Sequence, residues 1–233
     1  ASDVYKRQPA SVALQWPIMS EFTAPGETNY LALIGDLRGS RQRSDRAQLQ
    51  MRMLASAAAI VDSLGEDVVT RPALLRGDEI QCLLRRPAAG LAAILQVEAH
   101  LLPRDLRFGL GWGPLSTDLG PQVLALDGPC FHRARHALDE AHRRKVWMRI
   151  EGLGEDRDEV LDGLFHLLGS VRWGWTPAQA ETVALLRRLK VRKEVAAQRQ
   201  VTPSTVTKAL DGARYDAVAA AEAAARRLLE AEV

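Results

Sequence analysis

Apolar residues are distributed along this chain in two alternating patterns. Five short segments are mainly apolar, which is typical of strands buried in a sheet. Longer segments between them repeat apolar residues every three or four positions, which is the spacing of an amphipathic helix. The predicted strands are residues 30–35, 68–75, 80–84, 106–113 and 146–150, and the predicted helices among them are residues 45–64, 87–102 and 130–143.

The order of these elements defines the fold class that we expect. Strand, helix, two strands, helix and strand in succession form a ferredoxin-like or palm-type sheet with its crossing helices on one face. We therefore predict an α+β domain over residues 29–151, a linker helix within residues 152–175 and an all-α domain over residues 176–233. In this second part the predicted helices are residues 159–173, 178–189, 192–198, 203–210 and 215–230.

The charges divide the chain in the same place. Residues 19–150 carry 17 basic and 15 acidic side chains, and residues 151–170 carry one basic and six acidic side chains. Residues 171–233 carry 11 basic and seven acidic side chains, a net charge of +4. An acidic segment thus separates a nearly neutral body from a basic tail, and the basic tail favours contact with a polyanion.

The N-terminal residues, the cysteines and the lengths of the apolar runs indicate where the folded chain starts and which cellular compartment it occupies. Residues 1–28 are predicted to be a disordered or artefactual extension, because residues 2–8 look like a translated sequencing adapter, and the native start is expected at Met19. Two cysteines, Cys82 and Cys130, allow neither a disulfide framework nor a Cys/His zinc site. No apolar run approaches the roughly 20 residues of a membrane span. We expect a cytoplasmic protein without a membrane partner.

Carboxylates occupy positions that the predicted topology brings together. Asp36 closes the first strand, and Asp78 and Glu79 follow Gly77 in the turn between the second and third strands. Opposed carboxylates at one sheet edge can hold Mg²⁺ or Mn²⁺, which prefer oxygen ligands and bridge to phosphates. Asp36 and Asp78 are the candidate ligands, with Glu79 as a third ligand or a support. The alternative is a turn that favours Asp for conformational reasons alone.

Several residues near these carboxylates are candidates for binding a nucleotide or another phosphate. Ser40 and Arg41 follow the first strand and offer a hydroxyl and a guanidinium group, and Gly77 of the hairpin belongs to the same set. His132 and Arg135 follow an Asp-Gly-Pro turn on one helix face, from which Arg135 can contact a phosphate through two hydrogen bonds. The alternatives are an ordinary turn after the first strand and a solvated polar face on the helix.

The two short helices predicted at residues 192–198 and 203–210 follow each other in the order of a helix-turn-helix unit. Ala196 is small enough to let the helices approach, and Val206 packs the second helix back against the first. Thr202 can cap the second helix through its hydroxyl group. The pattern therefore predicts a compact pair of helices that can bind DNA.

The surface of this helix pair carries the residues that we expect to contact double-stranded DNA. The usual turn glycine is replaced by Gln200. The alternative is a helical bundle used for dimerisation, and residues 215–230 are the candidate contact between two copies. The predicted DNA-contacting residues are Arg192, Ser204, Thr205, Thr207, Lys208 and Arg214.

Four separated motifs in the chain resemble those of the SatD family. They occur in this order: Ile34-Gly-Asp-Leu-Arg-Gly-Ser-Arg41, Arg76-Gly-Asp-Glu-Ile-Gln81, Arg107-Phe-Gly-Leu-Gly-Trp-Gly113 with Ser116-Thr117, and Asp127-Gly-Pro-Cys-Phe-His-Arg-Ala-Arg135. The hairpin is also similar to that of GGDEF diguanylate cyclases, and Asp36 to the first metal aspartate of class III nucleotide cyclases. The SatD resemblance extends from about Tyr30 to the end of the chain. It implies a bacterial cytoplasmic protein in which a nucleotide-cyclase-like domain precedes a DNA-binding-like helical region.

Two departures from true cyclases affect what the resemblance implies about catalysis. Arg76 stands where the GGDEF hairpin has its first glycine. Arg135 matches the transition-state arginine of class III cyclases, but Phe131 stands four residues earlier, where those enzymes have Asn. We therefore expect nucleotide or phosphate binding with weak or absent cyclisation.

The function that we expect is transcription regulation by a DNA-binding tail and a cyclase-like sensory domain that binds a metal and a nucleotide. One alternative is a metal-dependent nucleotidyl cyclase or nucleotidyl-transfer enzyme whose helical tail positions or dimerises it. Another is an interaction module in which both sites are vestigial. The candidate partners are double-stranded DNA, a nucleotide ligand and a second copy of the chain.

Overall fold

The computed structural model describes residues 28–37, 45–101 and 106–231. All but the last residue of the predicted N-terminal extension lies outside these ranges. The strands are β1 (Asn29–Leu37), β2 (Val68–Leu75), β3 (Glu79–Leu84), β4 (Leu106–Pro114) and β5 (Met148–Glu151). The helices are α1 (Arg46–Leu64), α2 (Pro87–His100), α3 (Pro129–Arg144), α4 (Glu155–Arg172), α5 (Pro177–Leu189), α6 (Arg192–Arg199), α7 (Pro203–Gly212) and α8 (Tyr215–Glu230).

The five strands form one mixed sheet in the order β2-β3-β1-β4-β5. The central strand, β1, pairs antiparallel with β3 and β4, and β5 is added parallel to β4. The first four strands and their two crossing helices thus have the predicted ferredoxin-like order, and the α+β class is confirmed. The connection from β4 to β5 passes through α3, because parallel neighbours need a crossover of this length.

The two faces of the sheet are covered by different helices. Leu31 and Leu33 of β1 belong to the core that includes α1 and α2, whereas Ala32 and Ile34 belong to the core beneath α3. The prediction that the two crossing helices lie on one face is correct, and α3 covers the opposite face. The reason is that both faces of the central strand are apolar, so that each needs a cover.

Glycines in β4 allow α3 to lie very close to the sheet. A Cβ atom at Gly109 would lie 2.0 Å from the carbonyl oxygen of Ala134, and one at Gly111 would lie 2.1 Å from that of Cys130. These glycines of β4 therefore serve the close packing of α3 on the sheet.

Helices α4 to α8 continue the core of the sheet rather than standing apart from it. One cluster of buried apolar side chains runs from α1 and α2 through Phe165 of α4 to Val183 of α5 and Val206 of α7. On β5, Asp162 of α4 accepts hydrogen bonds from Arg149 Nε at 2.6 Å and from the amide that follows it at 3.1 Å. The predicted linker helix corresponds to α4, which packs against the sheet.

A buried network of charges joins the same parts of the molecule. Arg172 of α4 forms ion pairs with Glu98 of α2 and Glu222 of α8. Arg187 of α5 reaches Glu222 at 2.6 Å, and the indole Nε1 of Trp147 donates to Glu98 at 2.8 Å. Each buried carboxylate thus has a positively charged partner, as burial of a charge requires.

Single residues define two of the helix ends. Gly65 ends α1 with a φ of 50°, and Thr176 begins α5 in a capping box with Gln179. Asp45 precedes α1 and makes no side-chain capping hydrogen bond to it. None of the helices described has both the length and the apolar character required to cross a bilayer.

Candidate functional site

The β2–β3 hairpin carries the predicted acidic motif on a tight turn. Arg76 and Gly77 at its centre have φ values of 54° and 83°, and the Asp78 N–H lies 3.4 Å from the Leu75 carbonyl oxygen. Two successive residues with positive φ are typical of the turns that match the twist of paired strands. Arg76 therefore makes the turn although most side chains disfavour this conformation.

Asp36 lies beside this hairpin, as the topology predicted. β1 extends through Asp36 to Leu37, so that Asp36 pairs with Glu79 of β3. The N–H of Leu37 donates to the carbonyl oxygen of Asp78 at 3.0 Å. The structure thus brings the three predicted metal ligands, Asp36, Asp78 and Glu79, to the same end of the sheet.

Two basic side chains of α3 cover these carboxylates. Arg135 donates two hydrogen bonds to Glu79, from Nη1 to Oε2 at 2.8 Å and from Nη2 to Oε1 at 2.6 Å, and Gln81 Nε2 donates to Oε1 at 2.8 Å. His142 Nε2 lies 3.2 Å from Asp36 Oδ2. Because directly paired residues of two strands share a face, Asp36 and Glu79 both point towards α3. We call these five side chains the hairpin cluster.

The positive charges of the hairpin cluster keep Glu79 ionised. Burial by itself raises the pKa of the Glu79 carboxyl. Hydrogen bonds from Arg135 and Gln81, together with the charges of Arg135 and Arg76, outweigh burial and hold that pKa below its usual range. The hydrogen bonds to Glu79 in turn raise the pKa of Arg135. The two groups are therefore a stable ion pair at neutral pH.

The donor atoms at this end of the sheet do not complete a site for a resident divalent metal. Both carboxylate oxygens of Glu79 accept hydrogen bonds from Arg135, and Asp36 faces the His142 imidazole. Among the residues with a described position, no group of three or more His, Cys, Asp or Glu side chains is arranged to hold a metal.

The predicted phosphate-binding residues are divided between several places. Gly77 lies in the hairpin turn, where an added Cβ would lie 3.6 Å from the side chain of Gln50 in α1. His132 lies in the first turn of α3, is exposed, and places Nε2 2.8 Å from Asp127 Oδ1, so it does not join the hairpin cluster. Ser40 and Arg41 lie outside the described residues. Arg135 and Gly77 are the members of this predicted set that the structure places at the hairpin.

His142 and Gln81 are the members of the hairpin cluster that sequence reasoning missed. Gln81 lies two positions after Glu79 in the same strand, so both side chains point to one face. His142 lies seven positions after Arg135, which is two turns along the same helix face. Both spacings are readable from the sequence. The contacts themselves depend on the position of α3 over the sheet.

Phe131 and the two cysteines are core residues. Phe131, at the position of the cyclase asparagine, is buried between α3 and the sheet and presents no polar group. Cys82 and Cys130 are both buried. Burial raises the pKa of the Cys130 thiol to about 11 and raises that of Cys82 further still. Neither thiol is therefore available as a nucleophile at neutral pH.

A second candidate site lies on α6 and α7. Three residues, Gln200 to Thr202, connect these helices, and Gln200 has a φ of 54°. The Thr202 hydroxyl accepts a hydrogen bond from the Thr205 N–H at 3.2 Å and so caps α7, as predicted. Ala196 and Val206 are both buried, which confirms that they hold the two helices together.

The residues predicted to contact DNA differ in how freely they face solvent. Thr207 is half-buried, and its hydroxyl donates to the Pro203 carbonyl oxygen at 3.2 Å. The hydroxyls of Ser204 and Thr205 lie 2.8 Å and 2.9 Å from the Thr202 hydroxyl, at the start of α7. The exposed members of the set are Arg192, Ser204, Thr205, Lys208 and Arg214.

Together, the strand order and the hairpin cluster define an α+β protein with a ferredoxin-like sheet and a packed helical tail. The chain belongs to the SatD family, whose family model matches residues 30–229. The resemblance found in the four sequence motifs is thereby confirmed. No curated protein matches the chain at a significant level.

Solved structures with a similar arrangement include nucleotide cyclases. A bacterial light-regulated adenylyl cyclase is 13% identical, with a TM-score of 0.40, over 53% of this chain and 75% of the other. The guanylyl cyclase Cya2 is 12% identical, with a TM-score of 0.34, over 50% of this chain and 73% of the other. Likenesses of this size carry no argument about function. The fold of this chain is assigned from its strand order, β2-β3-β1-β4-β5.

Proposed function

We propose that this SatD-family protein binds double-stranded DNA through α6 and α7 and acts as a transcription regulator. The observation that carries the proposal is the pair of short helices joined by a three-residue turn and held together by buried Val195, Ala196, Val206 and Leu210. In a helix-turn-helix unit of this form the second helix enters the major groove. Helix α7 is then the recognition helix.

The positions of polar side chains on α7 support contact with DNA over its first two turns. Ser204 and Thr205 lie in the first turn, from which a recognition helix reaches base edges. Lys208 is exposed one turn later and is suited to a phosphate. Thr207 is less suited than the sequence indicated, because its hydroxyl is used within the helix. Asp211 is exposed near the end of α7 and would repel a phosphate there.

Positive charge flanks α7 on both sides. Arg192 and Lys193 are exposed at the start of α6, and Arg214 is exposed between α7 and α8. Cations in these places attract the phosphate backbone independently of base sequence and release its counterions. The proposal therefore includes weak non-specific binding on which sequence preference is added.

The experiment for this proposal is fluorescence anisotropy of a labelled random duplex titrated with the full chain. We expect binding at low ionic strength and a linear fall of log affinity with log salt concentration. Pooled genomic fragments selected by the protein would then report a sequence preference. Absence of salt-sensitive binding at low ionic strength would contradict the proposal and leave the tail as a protein-contact element.

We further propose that the hairpin cluster binds a phosphate-bearing ligand, such as a nucleotide that carries Mg²⁺ or Mn²⁺. The observation that favours it is Arg135, whose guanidinium group makes two parallel hydrogen bonds to Glu79 in a geometry that phosphates also accept. A phosphate therefore competes with Glu79 for Arg135. The carboxylates of Asp36 and Asp78 would hold the accompanying ion. This exchange of partners supports a sensory role better than nucleotidyl transfer, because Phe131 offers no polar group.

A further inference from the structure

A cleft lies between helix α2, which covers the sheet, and helices α5 and α8 of the tail. Its volume is about 1120 Å³, slightly above the range of about 300–1,000 Å³ that is typical of small-molecule sites. Small side chains line its walls and do not reach across the space between the helices, so the cleft stays open to a ligand. They include Ala92 and Ala99 of α2, Ala180 and Ala184 of α5, and Ala219 and Ala223 of α8.

Positively charged side chains of the tail border this cleft. Arg188 lies near the end of α5, Lys190 directly follows that helix, and Arg226 lies on α8. All three are exposed, and none of them forms an ion pair with a carboxylate in the part of the chain that the structure describes. Arg188 donates from Nη2 to Gln198 Oε1 of α6 at 3.0 Å, which leaves further N–H groups for another acceptor. These cations therefore attract an anion to the cleft.

The described carboxylates that border the cleft already have positively charged partners. Glu98 and Glu222 are buried at its floor, and both pair with Arg172, which lies beneath them in the core. The third carboxylate, that of Glu181, accepts a hydrogen bond from Arg199 Nε at 3.1 Å. The cations at the rim of the cleft are thus not neutralised by its acidic residues, and these acidic residues are not free to hold a metal ion.

The cleft brings a cation of the tail close to the end of α2. His100, the last residue of α2, borders the cleft opposite Arg188. Partial burial and the charge of Arg188 both lower the pKa of the His100 imidazole, so the two side chains are near enough to interact. A ligand between them would contact a helix of the sheet layer and a helix of the tail at the same time.

We propose that this cleft binds a small phosphate compound with several negative charges, without a metal ion, through Arg188, Lys190 and Arg226. A phosphate group carries nearly two charges at neutral pH and three acceptor oxygens, and it accepts two parallel hydrogen bonds from an arginine. A phosphate that carries Mg²⁺ is less suited, because the ion cancels part of the charge and finds no free carboxylate here. The proposal depends neither on DNA binding nor on a ligand at the hairpin cluster.

Isothermal titration calorimetry of the full chain with sodium pyrophosphate tests the site. The buffers are freed of metal ions with a chelating resin and held at one ionic strength, so that screening is constant. We expect saturable binding that Arg188→Ala and Arg226→Ala each weaken about tenfold or more, because each removes a charge-assisted hydrogen bond. The matched control is Arg227→Ala, at the exposed neighbour of Arg226 outside the cleft, which should bind like the wild type. Circular dichroism verifies that the variants are folded.

Magnesium ions distinguish this cleft from the hairpin cluster. Excess Mg²⁺ should weaken pyrophosphate binding at the cleft, because the complex carries less charge than the free anion. Binding that requires Mg²⁺ and is unchanged in Arg188→Ala and Arg226→Ala would assign pyrophosphate to the hairpin cluster and overturn the proposal. Equal weakening by Arg226→Ala and Arg227→Ala would show general attraction to a positive surface, and a wild type that does not bind would show that the cations form no site; both results also overturn it.

Discussion

Arg135 of α3 and Glu79 of β3 face each other in an ion pair with two parallel hydrogen bonds at the end of the sheet. The Glu79 side chain is 14% exposed and the Arg135 side chain 40% exposed. The pair therefore joins α3 to the hairpin through a largely buried carboxylate, while the arginine stays accessible from solvent. This combination of a structural contact and an accessible guanidinium group determines the first prediction.

Arg135→Ala should destabilise the protein moderately, because it leaves the half-buried Glu79 without its charged partner. We expect a loss of about 1–2 kcal/mol in the free energy of unfolding at neutral pH, reduced by solvent screening of the exposed arginine. Urea denaturation measures it. The control is Arg143→Ala on the same helix, because the Arg143 side chain is 65% exposed and Glu140 keeps Arg144 and Arg149 as partners; its midpoint should be nearly unchanged.

The pH dependence of this loss has a definite sign. The pKa of Glu79 is lowered in the folded protein, so its stabilising effect is complete above the unfolded pKa and is lost as pH falls through the folded pKa. The difference between wild type and Arg135→Ala should therefore shrink as the pH is lowered from neutral into the acid range. A difference that stays constant would contradict the role assigned to the ion pair.

Arg172→Met should destabilise the protein more strongly, because Arg172 is 1% exposed and holds two carboxylates that would remain buried. We expect a loss of about 3–5 kcal/mol in the free energy of unfolding. Adding Glu98→Gln and Glu222→Gln to Arg172→Met should recover part of this loss, since the unpaired charges are then removed. Chemical denaturation of the three proteins provides the comparison. A loss that the triple variant does not reduce would show that packing, and not charge, is responsible.

A nucleoside triphosphate with Mg²⁺ or Mn²⁺ should raise the thermal denaturation midpoint, because a ligand of the native state stabilises it. Arg135→Ala should remove the shift, and so should Asp36→Asn combined with Asp78→Asn. The metal ion alone should give no shift, because its donor set is incomplete without phosphate. A shift with metal alone, or no shift with any common nucleotide, would contradict the proposed ligand of the hairpin cluster.

Incubation with ATP or GTP and Mn²⁺ should yield no cyclic nucleotide that depends on Asp78. The physical reason is that Phe131 is a buried apolar residue where class III cyclases have Asn. Chromatography of the products compares wild type with Asp78→Asn. Product that forms in the wild type and disappears in the variant would favour an enzyme over a sensory domain.

The sheet could be predicted from the sequence because its strands differ clearly from its helices in apolar spacing. The neighbourhood of Asp36 and Asp78 followed from strand order alone, since the end of β1 must lie beside the β2–β3 hairpin. The ion pair between Arg135 and Glu79 could not be predicted in this way. It depends on how closely α3 approaches the sheet, which Gly109 and Gly111 determine through three-dimensional packing.

Contacts between helices that are distant in sequence explain the burial of Arg172, and a contact within one helix explains the difference at Thr207. Arg172 stands near the end of a predicted linker, and its burial follows from helices 74 and 50 residues away that supply Glu98 and Glu222. Thr207 was expected to face the DNA groove because of its position in α7. Its hydroxyl instead donates a hydrogen bond to the helix backbone. Threonine can form this bond within a helix, but the residue type alone does not show whether it does.

The salt dependence of DNA binding by Lys208→Ala, compared with the wild type and Arg52→Ala, tests the central proposal most directly. Arg52 is an exposed cation on α1, so its removal matches the change in net charge. We predict that Lys208→Ala weakens binding to all sequences and reduces the log–log salt slope by about one, while Arg52→Ala behaves like the wild type. Equal slopes for all three proteins, or no salt-sensitive binding by the wild type, would contradict DNA recognition through α7.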